Sequence, residues 1–238
     1  MKALVLSSGG VDSTTALGMA VDKYGSSNVI ALSVSYGQKH DKEIKAATAV
    51  AEHYGVEQLF LDLTKIFEYS NSSLLRQSTD KIPEQSYARQ ISETGGGKPV
   101  STYVPFRNGL FLSSAASIAL SKECSVIYYG AHADDAAGCA YPDCSPVFND
   151  AMNTAIWEGS GRQLRIEAPF VNKNKADIVK IGLALGVPYE LTWSCYEGGD
   201  EPCGKCGTCI DRAAAFAANG VEDPALKMHR RSGRAAEN

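Results

Sequence analysis

A chain of 238 residues can close a hydrophobic core without disulfides, and it suits one large domain or one domain with a small appendage. The apolar fraction of 44% and the charged fraction of 21% are those of a water-soluble globular fold. A formal net charge of -4 provides no broad basic field for nucleic acid, and no apolar run reaches the length of a bilayer span.

The first apolar run, residues 2–7, is closed at once by serines and glycines, which reads as a buried strand and is too brief for a secretion signal. The expected setting is therefore the cytosol, with no membrane and no nucleic-acid partner. Runs at 28–36 and 57–63 are strands by the same pattern. Helical periodicity covers 13–24 and 39–54, the second with Ile44, Ala47, Val50 and Ala51 on one face. Residues 77–103 are polar and carry Gly95, Gly96, Gly97 and Lys98, the profile of a long loop or lid. A helix at 107–124, a strand at 125–130, a helix at 146–158 and a strand at 164–168 follow. The helix at 175–185 is stopped by Gly186. From Trp193 onward glycine and cysteine dominate, with a short alanine-rich helix at 211–218. Strands alternating with helices imply an α/β, Rossmann-like parallel sheet with helices on both faces. The tail Lys227, Met228, His229, Arg230 and Arg231 is a local basic run of the kind usual at solvated termini.

Between the first strand and the first helix lie Ser7, Ser8, Gly9, Gly10, Val11, Asp12, Ser13, Thr14 and Thr15. Glycines let backbone approach a phosphate closely, and free N–H groups at a helix start point at negative charge. Ser8, Ser13 and Thr14 add hydroxyls. Asp12 is out of place beside phosphate unless magnesium is present, and it then becomes a direct or water-mediated ligand. The loop matches neither G-x-x-x-x-G-K-[ST] nor G-x-G-x-x-G.

Four of the seven cysteines fall close together at Cys195, Cys203, Cys206 and Cys209. In a reducing compartment such clustering points to metal rather than to disulfides. Four thiolates at turn-compatible spacing, with Gly198, Gly199, Gly204 and Gly207 between them, suit a closed structural zinc site; an iron–sulfur cluster uses the same donors. Cys124 ends a helical stretch and reads as a packing residue.

The run Ser8-Gly9-Gly10-Val11-Asp12-Ser13 at a strand end resembles the signature of the ATP pyrophosphatase (PP-loop) superfamily. Within it, nearly the whole chain resembles the 7-cyano-7-deazaguanine synthase family. The likeness runs through Tyr36-Gly37-Gln38-Lys39-His40, Val104-Pro105-Phe106-Arg107-Asn108 and Gly130-Ala131-His132-Ala133-Asp134-Asp135. It continues through Tyr141-Pro142-Asp143-Cys144, Asn174-Lys175-Ala176-Asp177-Ile178, Thr192-Trp193-Ser194-Cys195-Tyr196 and the cysteine cluster. Phe106 stands where a small residue is expected, and Ser145-Pro146-Val147 replaces a more charged stretch.

The resemblance implies ATP-driven conversion of 7-carboxy-7-deazaguanine and ammonia to the nitrile, with ATP and magnesium at the loop and one zinc per chain on the four cysteines. It implies a homodimer and small-molecule partners only; the leaving nucleotide is AMP or ADP, and the superfamily resemblance favours AMP. It divides the chain into a catalytic domain, 1–192, and a zinc-binding segment with its helix, 193–238. Asp12, Arg107 and Asp134 are the expected catalytic residues. Arg107 opens a helix and suits a bidentate grip on phosphate or on the substrate carboxylate. Asp134 and Asp135 follow a strand end, placed to orient a guanine-like edge, bind magnesium or take a proton from ammonium. Lys39 and His40 are candidates for phosphate, Asp143 and Cys144 for the substrate side, and Tyr36 and Trp193 for stacking. Other members of the superfamily, a tRNA thiolase or an amidating synthetase, are the nearest alternatives. A zinc-ribbon module on nucleic acid is a more distant one.

Overall fold

The computed structural model describes residues 1–93 and 95–226. The basic run at 227–231 and the rest of the tail lie outside the described residues. Five parallel strands make one sheet: β1 (Ala3–Leu6), β2 (Val29–Ser35), β3 (Glu57–Asp62), β4 (Val126–Tyr128) and β5 (Arg165–Glu167), in the order β3-β2-β1-β4-β5. Ala3 is in register with Val29 on one side and Val126 on the other, so β1 is the central strand.

Because successive side chains on a strand point to opposite faces, β1 and β2 feed two separate cores. Leu4, Ile30, Leu32 and Ile127 pack with Leu112, Ala115 and Ala119 of α5 (Arg107–Ser121) and with Ile156 of α7 (Pro146–Gly159). Ala3, Val5, Val29, Ala31 and Val126 face the other way. They meet Leu17 and Ala20 of α1 (Val11–Tyr24), Val50 and Ala51 of α2 (Lys42–Tyr54), and Ile178 of α8 (Lys175–Ala184). Phe216 of α9 (Gly207–Ala218) joins that second core. The α/β parallel sheet with helices on both faces is thus the architecture of the chain.

Three shorter α-helices are also found among the described residues: α3 (Thr64–Phe67), α4 (Tyr87–Glu93) and α6 (Ala133–Ala136). The expected long loop at 77–103 therefore contains a helix, and α2 begins at Lys42 rather than at 39. The delay has a local cause. Gln38 forms an isolated bridge with Leu75 and its Oε1 accepts the Tyr36 N–H at 2.9 Å, while the Lys39 N–H donates to the Leu74 carbonyl at 3.1 Å. Residues 36–40 are thus tied to the 74–76 segment before the helix can start. The departures from the family pattern also find a place. Phe106 adopts a left-handed φ of 55°, where a small residue is easier, and its ring packs edge-on to Phe148. Ser145 caps α7 by accepting the Phe148 N–H at 3.2 Å, with Pro146 opening the helix.

The chain runs outward from β1 through β2 to β3 and returns to β4 on the other flank of β1. The reversal leaves a crevice beyond the C-terminal ends of β1 and β4, the usual ligand position in open α/β sheets.

Candidate active site and metal centre

That crevice is a cavity of about 220 Å³. Its lining includes Ser7, Ser8, Gly10, Val11, Asp12 and Ser13 from the first loop, and Arg107 and Asn108 from the start of α5. Gly130, His132 and Asp135 after β4, Lys175 at the start of α8, and Trp193, Ser194 and Tyr196 from the C-terminal segment complete its polar and aromatic walls.

The loop enters α1 through Gly10, which offers no side-chain cap, so the first-turn N–H groups are left without that acceptor. The Ser8 and Ser13 hydroxyls lie 3.0 Å apart beneath them. Gly9 adopts φ 78°, and a Cβ there would sit 2.5 Å from Ala47 N and 2.6 Å from the Glu43 carbonyl. Only glycine lets the loop close on the first turns of α2. Gly9, Thr14 and Thr15 stand outside the cavity lining. Thr15 turns into the core, its hydroxyl bonded to Val11 O at 2.7 Å and to Tyr189 OH at 2.8 Å.

Asp12 projects from the first turn of α1. One oxygen, Oδ2, lies 2.5 Å from Lys175 Nζ and 3.8 Å from His132 Nε2. The other, Oδ1, is buried and meets no hydrogen-bond partner among the described residues. Burial pushes the carboxyl upward, yet Lys175 and then His132 outweigh it, and Asp12 lies below its ordinary value. His132 Nε2 also stands 3.4 Å from Lys175 Nζ and 3.3 Å from Asp135 Oδ2, so four charged or polar groups form one chain across the cavity floor. Asp134 does not line the cavity; its Oδ2 accepts the Lys175 N–H at 2.8 Å and anchors the start of α8. Its neighbour Asp135 is the one exposed to the cavity. Lys175 and His132 stand within sequence motifs that by themselves give neither residue a role. The signal for them is a lysine just after an asparagine that caps a helix, and a histidine at a strand end.

Arg107 Nη1 donates to Tyr36 OH at 3.3 Å, and its guanidinium lies 5.2 Å from the Tyr36 ring centroid. Glu43, in the first turn of α2, also lines the cavity; burial raises its carboxyl to about 7, and Arg107 lowers it only in part. Tyr87 of α4 and Tyr196 share a hydroxyl–hydroxyl contact of 2.5 Å, and burial holds both far above the usual phenol value. Segment 77–103 thereby supplies one wall. Asp143 is buried and accepts the Asn108 N–H at 2.8 Å, which fixes the start of α5 rather than lining the cavity. Cys144 does line it, with burial raising its thiol well above normal. Lys39 donates to the Asp80 carbonyl at 3.2 Å and His40 packs edge-on to Trp193; neither lines the cavity.

The four cysteines converge. The sulfurs of Cys195, Cys203, Cys206 and Cys209 all lie within 4.8 Å of one another, a group able to hold a metal ion. Backbone N–H groups of Cys203, Lys205 and Cys206 approach Cys195 Sγ or Cys203 Sγ at 3.3–3.4 Å, contacts that favour thiolate. A tetrahedral zinc with Zn–S bonds near 2.3 Å needs sulfurs about 3.8 Å apart, so the donor set and its compactness fit. The centre is joined to the cavity. Trp193, Ser194 and Tyr196 line the cavity while Cys195 between them turns to the cluster, and the Trp193 N–H donates to Gly9 O at 2.9 Å.

Queuosine biosynthesis protein QueC is the family whose profile matches residues 2–220. The 7-cyano-7-deazaguanine synthase of Archaeoglobus fulgidus is 44% identical over 227 residues, covering 95% of this chain and 90% of the relative. The same-named protein of Oceanobacillus iheyensis is 42% identical, covering 95% and 98% of the two chains. That of Psychromonas ingrahamii is 39% identical, covering 94% and 96%. A match that spans the sheet, the cavity and the cysteine centre together places this chain in the QueC family of queuosine biosynthesis proteins.

Proposed function

We propose that the chain is an ATP-dependent carbon–nitrogen ligase that converts 7-carboxy-7-deazaguanine and ammonia to 7-cyano-7-deazaguanine. The observation that carries this reading is the near full-length identity to relatives of that name, joined to a cavity that pairs an uncapped helix start with an open carboxylate oxygen. Identities of 39–44% over nearly whole chains favour it over a tRNA thiolase or another amidating synthetase.

A carboxylate is a poor electrophile, so its oxygen must first be made into a leaving group. The first-turn N–H groups and the hydroxyls of Ser8 and Ser13 suit the phosphates of ATP, and Ser7, Gly9, Gly10, Val11, Thr14 and Thr15 shape the loop that presents them. Asp12 Oδ1 is the position from which magnesium would be held; bound there, it would neutralise charge on the departing phosphates. Lys175, held beside Asp12, adds positive charge on the same side. Arg107, fixed by Tyr36, suits the substrate carboxylate or the activated oxygen. Asp134 acts by anchoring α8, and Asp135 is better placed to meet the guanine-like edge. Attack by ammonia yields an amide, and a second activation and expulsion of its oxygen leaves the nitrile. Closed aromatic walls at Tyr36, Tyr87, Trp193 and Tyr196 limit hydrolysis of the activated acid. AMP is the leaving nucleotide in this reading.

Residues 1–192 are the catalytic domain and 193–238 the zinc-binding segment with its helix, the zinc on the four cysteines having a structural role. A homodimer in the cytosol, using small-molecule substrates only, completes the reading. Metal-replete protein incubated with ATP, magnesium, ammonium and 7-carboxy-7-deazaguanine is expected to give the nitrile and AMP by mass spectrometry. No nitrile under those conditions would sink the assignment.

A further inference from the structure

Three carboxyl side chains line the cavity, and two are already committed. Asp12 is paired with Lys175 at 2.5 Å, and Asp135 stands 3.3 Å from His132 Nε2. The third, Glu43, has no hydrogen bond and no ion pair on its carboxyl group among the described residues; Arg107 reaches it only through space. Its placement does not depend on its own side chain. The Glu43 carbonyl packs against Gly9, so the first turn of α2 is seated on the phosphate loop by backbone contact.

Other basic groups in the cavity are engaged or unsuited. Lys175 is paired, and His132 Nε2 lies between Lys175 and Asp135 while its Nδ1 is buried. Burial keeps Tyr87 and Tyr196 protonated. Of the three carboxyl groups, Glu43 is the one with neither oxygen in a hydrogen bond or ion pair among the described residues.

The ligase reading, on which this inference rests, requires such a group. Joining ammonia to an activated acid forms a C–N bond from the nitrogen lone pair and breaks the C–O bond, whose electrons leave on the nucleotide oxygen. The adduct then carries one proton too many. In the second round the amide oxygen, once activated, departs with its electron pair, and the nitrogen sheds its two protons as the triple bond closes. We propose that Glu43 is the catalytic proton acceptor for the reacting nitrogen in both rounds, passing each proton to water before taking the next. Its carboxyl, raised by burial to about 7, is suited to proton exchange near neutral pH.

Wild type, Glu43→Gln and Glu43→Asp are compared with the acid, ATP and magnesium, using ammonium in one arm and hydroxylamine in the other. Hydroxylamine is far less basic than ammonia, so it is neutral at the assay pH and its adduct is acidic enough to lose the extra proton to water unaided; its hydroxamate product reports formation of the activated acid whichever nucleotide leaves. E43Q is expected to lower amide plus nitrile formation by at least about 100-fold, with hydroxamate reduced less than about tenfold, the span usual for a lost general base. E43D should recover part of the ammonium activity, and zinc content and melting temperature should match the wild type. Equal losses in both arms would overturn the role, because Glu43 would then be serving acid activation, substrate binding or the fold. Undiminished amide and nitrile from E43Q would overturn it as well. A wild type inert towards the acid takes down the ligase reading and this role with it, whereas an active wild type with an unaffected E43Q rejects the role alone.

Discussion

Asp12 has one carboxylate oxygen held by Lys175 and the other buried without a partner, an arrangement that stability alone does not call for. A buried acceptor left open costs about 1–3 kcal/mol, which a ligand would relieve on binding. Asp12→Ala is therefore expected to abolish acid-dependent ATP turnover, by more than about 100-fold, without lowering the melting temperature. Retained turnover would exclude the magnesium role. Asp134 and Asp135 are adjacent yet differ in duty, since one accepts the Lys175 N–H and the other faces the cavity. Asp135→Asn should raise KM for the acid with the melting temperature intact, and Asp134→Asn should lower the melting temperature. The reverse pattern would exchange their assignments. Asp12 and the serines were legible because neighbours in sequence make up the loop. Lys175 was not, because it lies 163 positions along the chain from Asp12 and meets it only in the folded protein.

Among the elements, the C-terminal segment shows how the metal centre and the cavity share a wall. Trp193, Ser194 and Tyr196 line the cavity while Cys195 turns to the cluster, and Thr208 Oγ1 at the start of α9 donates to Ser194 O at 2.7 Å. Cys206→Ser is expected to lower zinc content and melting temperature and to weaken ATP binding in parallel, because the Trp193–Gly9 contact loses its support. Unchanged zinc stoichiometry would refute the four-ligand site. A second clamp sits behind the first. Arg212 is buried and forks onto Asp223 at 2.6 and 2.9 Å, and its Nη1 donates to Thr192 Oγ1 at 2.8 Å. Arg212→Met leaves the Asp223 charge buried without its counter-charge, so denaturant unfolding should show a loss of about 3–5 kcal/mol. The helix at 211–218 was legible from its alanines, but α9 begins four residues earlier, where Gly207 and Cys209 obscured the periodicity. In the same way α4 was hidden in a polar segment, since its buried residues are Tyr87, which lines the cavity, and Gln90, and the two give little apolar signal.

For the whole molecule, the alternation of strands and helices was sufficient to infer a parallel sheet with two covered faces, because the apolar runs are short for helices and those of β1, β2 and β4 are buried on successive residues. The identities of the phosphate loop and of the four cysteines were likewise available from local spacing, since a tight turn and a metal knuckle are built from residues close in the chain. Only the tertiary structure decided that β4 returns beside β1, opening the crevice between them. It also decided that Lys175 and His132 meet Asp12 there, and that Glu43 lines the same cavity with no hydrogen bond or ion pair on its carboxyl group among the described residues. Those are encounters between groups far apart in sequence, fixed by sheet order and helix packing, and no local pattern encodes them.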